Sequence, residues 1–313
     1  MPDVMLSIYV PTYNHENYIV RALDSILMQK TQYAYEVLIG EDCSTDNTRQ
    51  ILKAWEVAHP DPRFHFFYRQ QNMHKSVVNN AKDLKLRCTG KYIICLEGDD
   101  FWTDADKLES QISFLETHPD YYAVAHNCTV VSGDSTPNGE TYPECKDEEY
   151  TLRHFASDIL PGQYTTFLAR NYMTDEQLDK TLMSISGGAG DRRVYFSILC
   201  HGKIRCIQKS MSAYRHITTG GSSFSATQKY SYDSQEAAFR AYLNYAYRVH
   251  HADAIRYAEM LYLRTIRHAQ RKGHIDRARA RQDKSRIRHK LRAAVLLLKR
   301  DINYRILHKT LHV

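Results

Sequence analysis

The chain has 313 residues, 43% apolar and 25% charged, a composition that excludes a disordered or fibrous protein and reads as globular. The longest apolar run of its C-terminal part, 293–298, falls far short of the roughly 20 residues that span a bilayer. The net charge of +6 is uneven: residues 264–313 carry 16 Lys and Arg against three Asp, a net +13, which leaves −7 on 1–263. Such an asymmetry asks for an anionic partner at the C-terminal end.

In chain order, 6–10 is a short apolar, β-branched run, and 17–29 repeats apolar residues at helical spacing through Ile19, Leu23, Ile26 and Leu27. Residues 36–39 are strand-like, and 48–57 are helical again, with Ile51, Leu52 and Trp55 on one side. Strands over 63–68 and 91–96 complete four, with helical crossovers between them. This alternation predicts βαβ units and a mostly parallel sheet covered on both faces. A helix follows over 107–118, stopped by Pro119, and 132–147 is a polar surface loop. Beyond Ser225 the pattern turns to Tyr- and Ala-rich helices. Ala254, Ala258, Leu261 and Thr265 share one face there, and Gly273 punctuates a helix hairpin.

The seven cysteines form no CxxC pair, which fits reduced thiols in a cytoplasmic protein. Residues 1–10 lack the basic-then-apolar order of a secretory signal, and the glycosylation sequon at 127–129 matters only in a secreted chain.

Ligands of open parallel sheets bind beyond the carboxyl ends of the strands. Three polar stretches fall there: PTYN (11–14) after the first strand, EDCSTDNT (41–48) after the second and EGDDFW (97–102) after the fourth. Asp46 suits a cap for the helix starting near Thr48, and Asn14 and Asn17 suit helix-start residues. Phe101 and Trp102 read as packing residues.

Together these stretches closely resemble the nucleotide-sugar-binding half of family 2 glycosyltransferases, enzymes of the α/β GT-A fold. The resemblance runs through SIYVPTYNHENYIVRALDSILMQ, YEVLIGEDCSTDNT and GKYIICLEGDDFWTDADKLESQISFLETHP. It is dense over 5–120 and thins to isolated motifs as far as about 225. It implies a transferase domain over 1–225, with a donor half (1–105) and an acceptor half (106–225), followed by a basic helical region over 226–313.

The resemblance also implies roles. Pro11, Thr12 and Tyr13 match the loop that holds the donor nucleoside, with Tyr13 near the base, and Asp42 matches the carboxylate that accepts from the uracil imide N–H. Asp99 matches a ribose contact and Asp100 a ligand to Mn²⁺ or Mg²⁺; Glu97 has no role in the matched motif. The chemistry agrees, because a sugar diphosphate would be repelled by two aspartates unless a hard cation bridged them.

In SGGAGDRRVYFSILCHG (186–202) a Gly-rich turn delivers Asp191 to a short helix, where the family places its general base. The alternative is that Asp191 only caps that helix. YRHITTGGSS (214–223) resembles a flexible loop of the family, which makes Arg215 a candidate for the donor diphosphate and His216 for the metal shell. Gly220 and Gly221 would let the loop close as a lid. Gln163 and Thr165 fall where family members shape the acceptor site. The only tryptophans, Trp55 and Trp102, leave no QxxRW-type motif of the processive synthases, so one sugar is expected per encounter.

From 285 to 308 an amphipathic basic helix places Ile287, Leu291, Ala294, Val295, Leu298 and Ile302 on one face, with Arg288, Arg292, Lys299 and Arg300 elsewhere. It suits an anionic membrane surface; the alternative is a helix packed on its own domain. An RNA-binding tail would interleave aromatic and basic residues, but Tyr304 is the only aromatic from 264 onward, so no nucleic-acid partner is expected. A nucleotidyltransferase would carry a Gly-rich basic loop after the first strand, which PTYNHENY is not. The expectation is therefore an inverting, metal-dependent, cytoplasmic transferase at the inner face of the membrane. It would move glucose, galactose or an N-acetylhexosamine from UDP to a lipid-linked saccharide of a bacterial surface glycan.

Overall fold

The computed structural model of the chain describes residues 4–73, 76, 78–174, 182, 190–217 and 231–310, with side chains as far as Ile302. Gly220 and Gly221, the expected lid glycines, lie outside the described residues. The chain divides into two compact units. The first takes Met1–Tyr150, Leu160–Leu178 and Gly202–Ala226, and the second Thr151–Ile159, Asp179–His201 and Thr227–Val313.

The first unit opens with β1 (Leu6–Thr12), α1 (Ile19–Leu27), β2 (Tyr35–Glu41), α2 (Thr48–Ala58), β3 (Phe64–Tyr68), α3 (Asn80–Arg87) and β4 (Tyr92–Cys95). The four apolar runs of the sequence are these four strands, all mutually parallel where they pair. Leu6, Ser7, Ile8, Tyr9 and Val10 are all buried, so β1 is covered on both faces, as a central parallel strand must be. Ile19, Ala22, Leu23 and Ile26 of α1 are fully buried, the i, i+3, i+4, i+7 stripe that fixes the helix against the sheet.

The sheet continues through β5 (Phe101–Trp102), α4 (Lys107–Thr117), β6 (Tyr121–Val131), β7 (Glu149–Tyr150), β8 (Leu168–Arg170) and β9 (Lys203–Arg215). Its order is β3-β2-β1-β4-β8-β6-β9-β5, with β7 also paired to β9. Thr12 is in register with Glu41, and Asp42 N–H donates to the Thr12 carbonyl at 3.0 Å. The first two polar loops therefore leave the sheet side by side. Phe101 and Trp102 are 5% and 1% exposed, and the Trp102 indole donates to the Thr165 carbonyl, so both are packing residues as expected.

The second unit is helical: α5 (Leu152–Ala156), α6 (Gly190–Leu199), α7 (Tyr232–Arg248), α8 (Ala252–Arg271), α9 (Arg277–Lys284) and α10 (Lys290–Thr310). Residues 151–159 and 190–201, part of the acceptor half as read from the sequence, fall in this unit. The reason is aromatic packing: Phe155 and Phe196 lie 5.3 Å apart, and Tyr242 of α7 sits 5.6 and 4.9 Å from them. Ala254, Ala258, Leu261 and Thr265 of α8 are all buried, and Gly273 at φ +73° follows the end of α8 and punctuates the turn to α9, as expected.

Glu259, whose side chain is fully buried, ties three helices together. It accepts from Tyr247 Oη (2.8 Å), the His289 backbone N–H (3.0 Å) and side chain (2.9 Å), and Arg292 (3.1 Å). Burial pushes its carboxyl up, but the bonds from Tyr247, His289 and Arg292 prevail and hold it below the usual glutamate value. A depressed carboxyl contributes stability above its unfolded value, about 4.3, and loses it as pH falls through the lower folded value. Glu259→Gln should therefore lower stability at pH 7 by about 2 kcal/mol, discounted for the exposed His289 and Arg292. The gap to wild type should shrink toward pH 3. Urea unfolding followed by circular dichroism checks this; equal midpoints at pH 7 would count against the network.

Candidate active site

The site forms at the carboxyl ends of β1, β2 and β4, from the three loops the sequence singles out. Two of them lock together. Asn14, left-handed at φ 55°, accepts from the Thr45 N–H (2.9 Å) and donates to Thr45 Oγ1 (3.1 Å), and its own N–H reaches Ser44 Oγ. Asparagine tolerates that conformation better than most side chains. Asn14 thus bridges two loops rather than starting α1, which begins at Ile19 without a side-chain cap. Asp46 behaves as expected: one oxygen accepts from the N–H of Thr48, the first residue of α2, and the other from Glu16 N–H.

Glu41, 1% exposed, was not legible as a site residue. It accepts from Ser44 N–H (2.6 Å) and pairs with Arg49, which also reaches the Arg69 carbonyl. These contacts fix the loop that presents Asp42. Asp42 is 7% exposed, and its carboxylate accepts from Met73 N–H at 2.8 Å. Pro11 and Tyr13 are half-buried, while Thr12 is 2% exposed and its hydroxyl lies 3.0 Å from His15 Nδ1.

The third loop carries the acidic cluster. Glu97, Asp99 and Asp100 each place a carboxylate oxygen within 4.8 Å of the others. Gly98 makes the close approach to β1 possible: a Cβ there would stand 2.7 Å from His15 Nδ1 and 2.8 Å from Thr12 Oγ1. Asp100, 1% exposed, accepts from Arg215 N–H (2.8 Å) and from Gln163 Nε2 (3.2 Å). Burial pushes its carboxyl far up, and the charges of Asp99 and Glu97 push it further. Three hard oxygen donors under mutual repulsion form a donor set that suits a hard divalent cation, which would relieve that repulsion. The residues present therefore fit such an ion.

Several expected roles change with the geometry. Arg215 is buried, and its guanidinium donates to the carbonyls of Asp99, Ser132 and Gly133 at 2.8 Å and to Ser135 Oγ at 2.9 Å. It clamps the acidic turn to the 132–135 loop instead of reaching outward for a diphosphate. His216 is not in the cluster: adjacent residues of an extended chain point to opposite faces, and its Nδ1 meets Glu140 Oε2 at 2.5 Å. Gln163 and Thr165, 3% and 0% exposed, are closed to an acceptor. Gln163 donates to Asp100 and, at 3.5 Å, to Glu97, while Thr165 holds the Gln163 side-chain oxygen Oε1 through its N–H and hydroxyl. His15, unmarked by the sequence, lies 4.0 Å from Asp99; only its place three residues after Thr12 hinted at it.

Asp191 belongs to the helical unit. It lies in the first turn of α6, half-buried, and its Oδ1 accepts from Arg192 N–H at 2.8 Å.

The sequence profile described as glycosyl transferase family 2 matches residues 7–178. The chain belongs to glycosyl transferase family 2. A putative teichuronic acid biosynthesis glycosyltransferase of Bacillus subtilis, TuaG, is 39% identical over 111 residues, 36% of this chain and 42% of that protein. Escherichia coli WfgD, named a UDP-Glc:alpha-D-GlcNAc-diphosphoundecaprenol beta-1,3-glucosyltransferase, is 32% identical over 148 residues, 45% of this chain and 55% of WfgD. An uncharacterized protein of Mycobacterium tuberculosis is 36% identical over 168 residues, 54% of this chain and 44% of that one. The chain thus matches about half the length of these curated relatives. Among solved structures, S. aureus TarS residues 1–349, in complex with UDP-GlcNAc, superposes with a TM-score of 0.60 at 17% identity, covering 84% of this chain and 71% of TarS. The family 2 chain has the GT-A glycosyltransferase fold.

Proposed function

We propose that this family 2 chain is an inverting transferase that moves one sugar from a UDP-sugar to a saccharide acceptor in bacterial surface-glycan synthesis. The observation that carries the reading is the carboxylate cluster of Glu97, Asp99 and Asp100 at the strand ends, beside the β1 loop whose Thr12 carbonyl bonds Asp42. The names of TuaG and WfgD, and the UDP-GlcNAc complex of TarS, support the substrate class.

Asp42 accepts from the uracil imide N–H, with Pro11, Thr12 and Tyr13 around the nucleoside and Asp99 at the ribose. Asp100, with Glu97 beside it, would hold Mn²⁺ or Mg²⁺, which when bound neutralises charge on the leaving diphosphate. Asp191 takes the proton of the acceptor hydroxyl. The hydroxyl oxygen then bonds to the anomeric carbon as its bond to the diphosphate breaks, so UDP leaves and the configuration inverts. Incubation with UDP-glucose, UDP-galactose and UDP-N-acetylhexosamines, Mn²⁺ and a lipid-linked saccharide tests this. One UDP released per sugar transferred is expected; no release with any of them rejects the donor class.

No helix among the described residues is long and apolar enough to cross a membrane. Along α10, Leu291, Val295, Leu298 and Ile302 are 81%, 45%, 60% and 47% exposed, at spacings that align them in one stripe. Ile287, assigned to that stripe by the sequence, is buried instead, as are Ala293 and Leu297 on the inner side. The exposed stripe, with Arg292 and Lys299 beside it, supports peripheral attachment to an anionic inner membrane face and so a lipid-linked acceptor. Leu291→Ser with Leu298→Ser should weaken binding to phosphatidylglycerol vesicles about tenfold or more, from the lost apolar burial. Sedimentation with the vesicles reads the change, and unaltered binding would remove α10 from the membrane account.

A further inference from the structure

The +13 charge of the C-terminal part is not used up by the α10 stripe. On α8, Arg264, Arg267, His268 and Arg271 follow one another at i, i+3, i+4 and i+7, which aligns them on one face. That face lines a cleft of about 780 Å³ within the helical unit, between α7, α8 and α10, with Arg300 and Asp301 on the far wall. Its volume falls within the range of about 300–1,000 Å³ usual for ligand clefts.

The charges in this cleft are unbalanced. Arg264 and Arg300 share Asp158, at 2.7 and 2.8 Å, and Asp301 lies 3.7 Å from Arg300. Asp158 is also shared with Arg192. Arg267 and Arg271 are exposed on the cleft wall and hold no carboxylate among the described residues. Burial, and next the like charge of Arg264, hold Arg300 below the ordinary arginine value. Like charges gathered around a concave space draw in an anion, and guanidinium forks match phosphoryl oxygens two at a time.

We infer that this cleft is a binding site for a diphosphate group, held chiefly by Arg267 and Arg271 against the wall formed by Arg264 and Arg300. The exposed stripe of Leu291, Val295, Leu298 and Ile302 does not line the cleft, so the site is distinct from the surface proposed to meet a membrane. It lies wholly in the helical unit and does not depend on the transferase reading. The diphosphate could be the headgroup of a lipid-linked saccharide or belong to a soluble phosphorylated compound.

Calorimetric titration of the full chain with sodium pyrophosphate, in metal-free buffer, tests the site. Saturable binding is expected for wild type, weakened about tenfold or more in Arg267→Gln/Arg271→Gln. Arg267→Lys/Arg271→Lys should retain part of the affinity, since the charge remains while the fork is lost. Far-ultraviolet circular dichroism spectra and thermal midpoints of the same samples should match wild type, which shows the double variant folded. Farnesyl diphosphate binding more tightly than pyrophosphate would support the lipid-linked source, and equal affinities the soluble one. The inference is overturned if wild type shows no saturable binding, or if the Gln variant binds pyrophosphate as wild type does. It is also overturned if that variant loses only its binding to phosphatidylglycerol vesicles, which would make the arginines a membrane-facing patch.

Discussion

Asp191→Asn is expected to reduce turnover by about 10²–10⁴, the range general-base catalysis contributes, while UDP-sugar binding stays unchanged. The substitution isolates chemistry from structure. Asp191 accepts the Arg192 N–H through one oxygen, and an asparagine oxygen can accept the same bond, so the first turn of α6 keeps its geometry. What is lost is a group that can take a proton from the acceptor hydroxyl. Steady-state kinetics should show the effect in kcat, with the donor KM little altered. A variant within about tenfold of wild type would assign the base to another residue.

Asp100→Asn should separate stability from activity. Asp100 is buried beside two other carboxylates, and its carboxyl is pushed up by that burial and then by Asp99 and Glu97. A carboxyl raised in the folded state costs stability as pH rises above its unfolded value, about 3.9. Neutralising it should raise the stability of the metal-free protein, by about 1 kcal/mol. The asparagine oxygen can still accept the Arg215 N–H that ties β9 to the acidic turn, while its amide nitrogen faces the Gln163 Nε2 donor, which offsets part of the gain. Transfer should nonetheless fall by about 10²–10³, the loss usual when a group stabilising transition-state charge is removed. The stimulation of donor binding by Mn²⁺ should disappear with it. A variant that is less stable without metal, and still stimulated by Mn²⁺, would place the cation elsewhere.

Much of the donor half was legible because its signals are local. The apolar runs of β1 to β4, the helical spacing of α1 and the polar stretch after each strand lie within a few residues of one another. The Asp46 cap was legible for the same reason, its partner Thr48 being two residues away. Glu97, unassigned in the motif, takes its place in the cluster only once the turn is folded.

What the sequence could not reveal depends on distant partners. Arg215 meets the carbonyls of Ser132 and Gly133 from 83 and 82 positions away, and backbone carbonyls leave no trace in residue type. Gln163 reaches Asp100 across 63 positions, so its position in the acceptor half suggested a contact that its burial closes off. β5 and β8 have two and three residues, too few for a period-2 pattern to emerge. The helices α5 and α6 joined the C-terminal unit through aromatic contacts that no periodicity announces.

The central claim, that the carboxylate loops hold a uridine diphosphate with a hard cation, is tested most directly by calorimetric titration of the Arg267→Gln/Arg271→Gln chain, in which the arginine cleft is weakened, with UDP and with GDP alongside, in the presence and absence of Mn²⁺. Saturable UDP binding that requires Mn²⁺ and exceeds GDP binding by about tenfold or more is the expected result. UDP binding that is indifferent to Mn²⁺, or weaker than GDP binding, would contradict the assignment of Asp42 and Asp100.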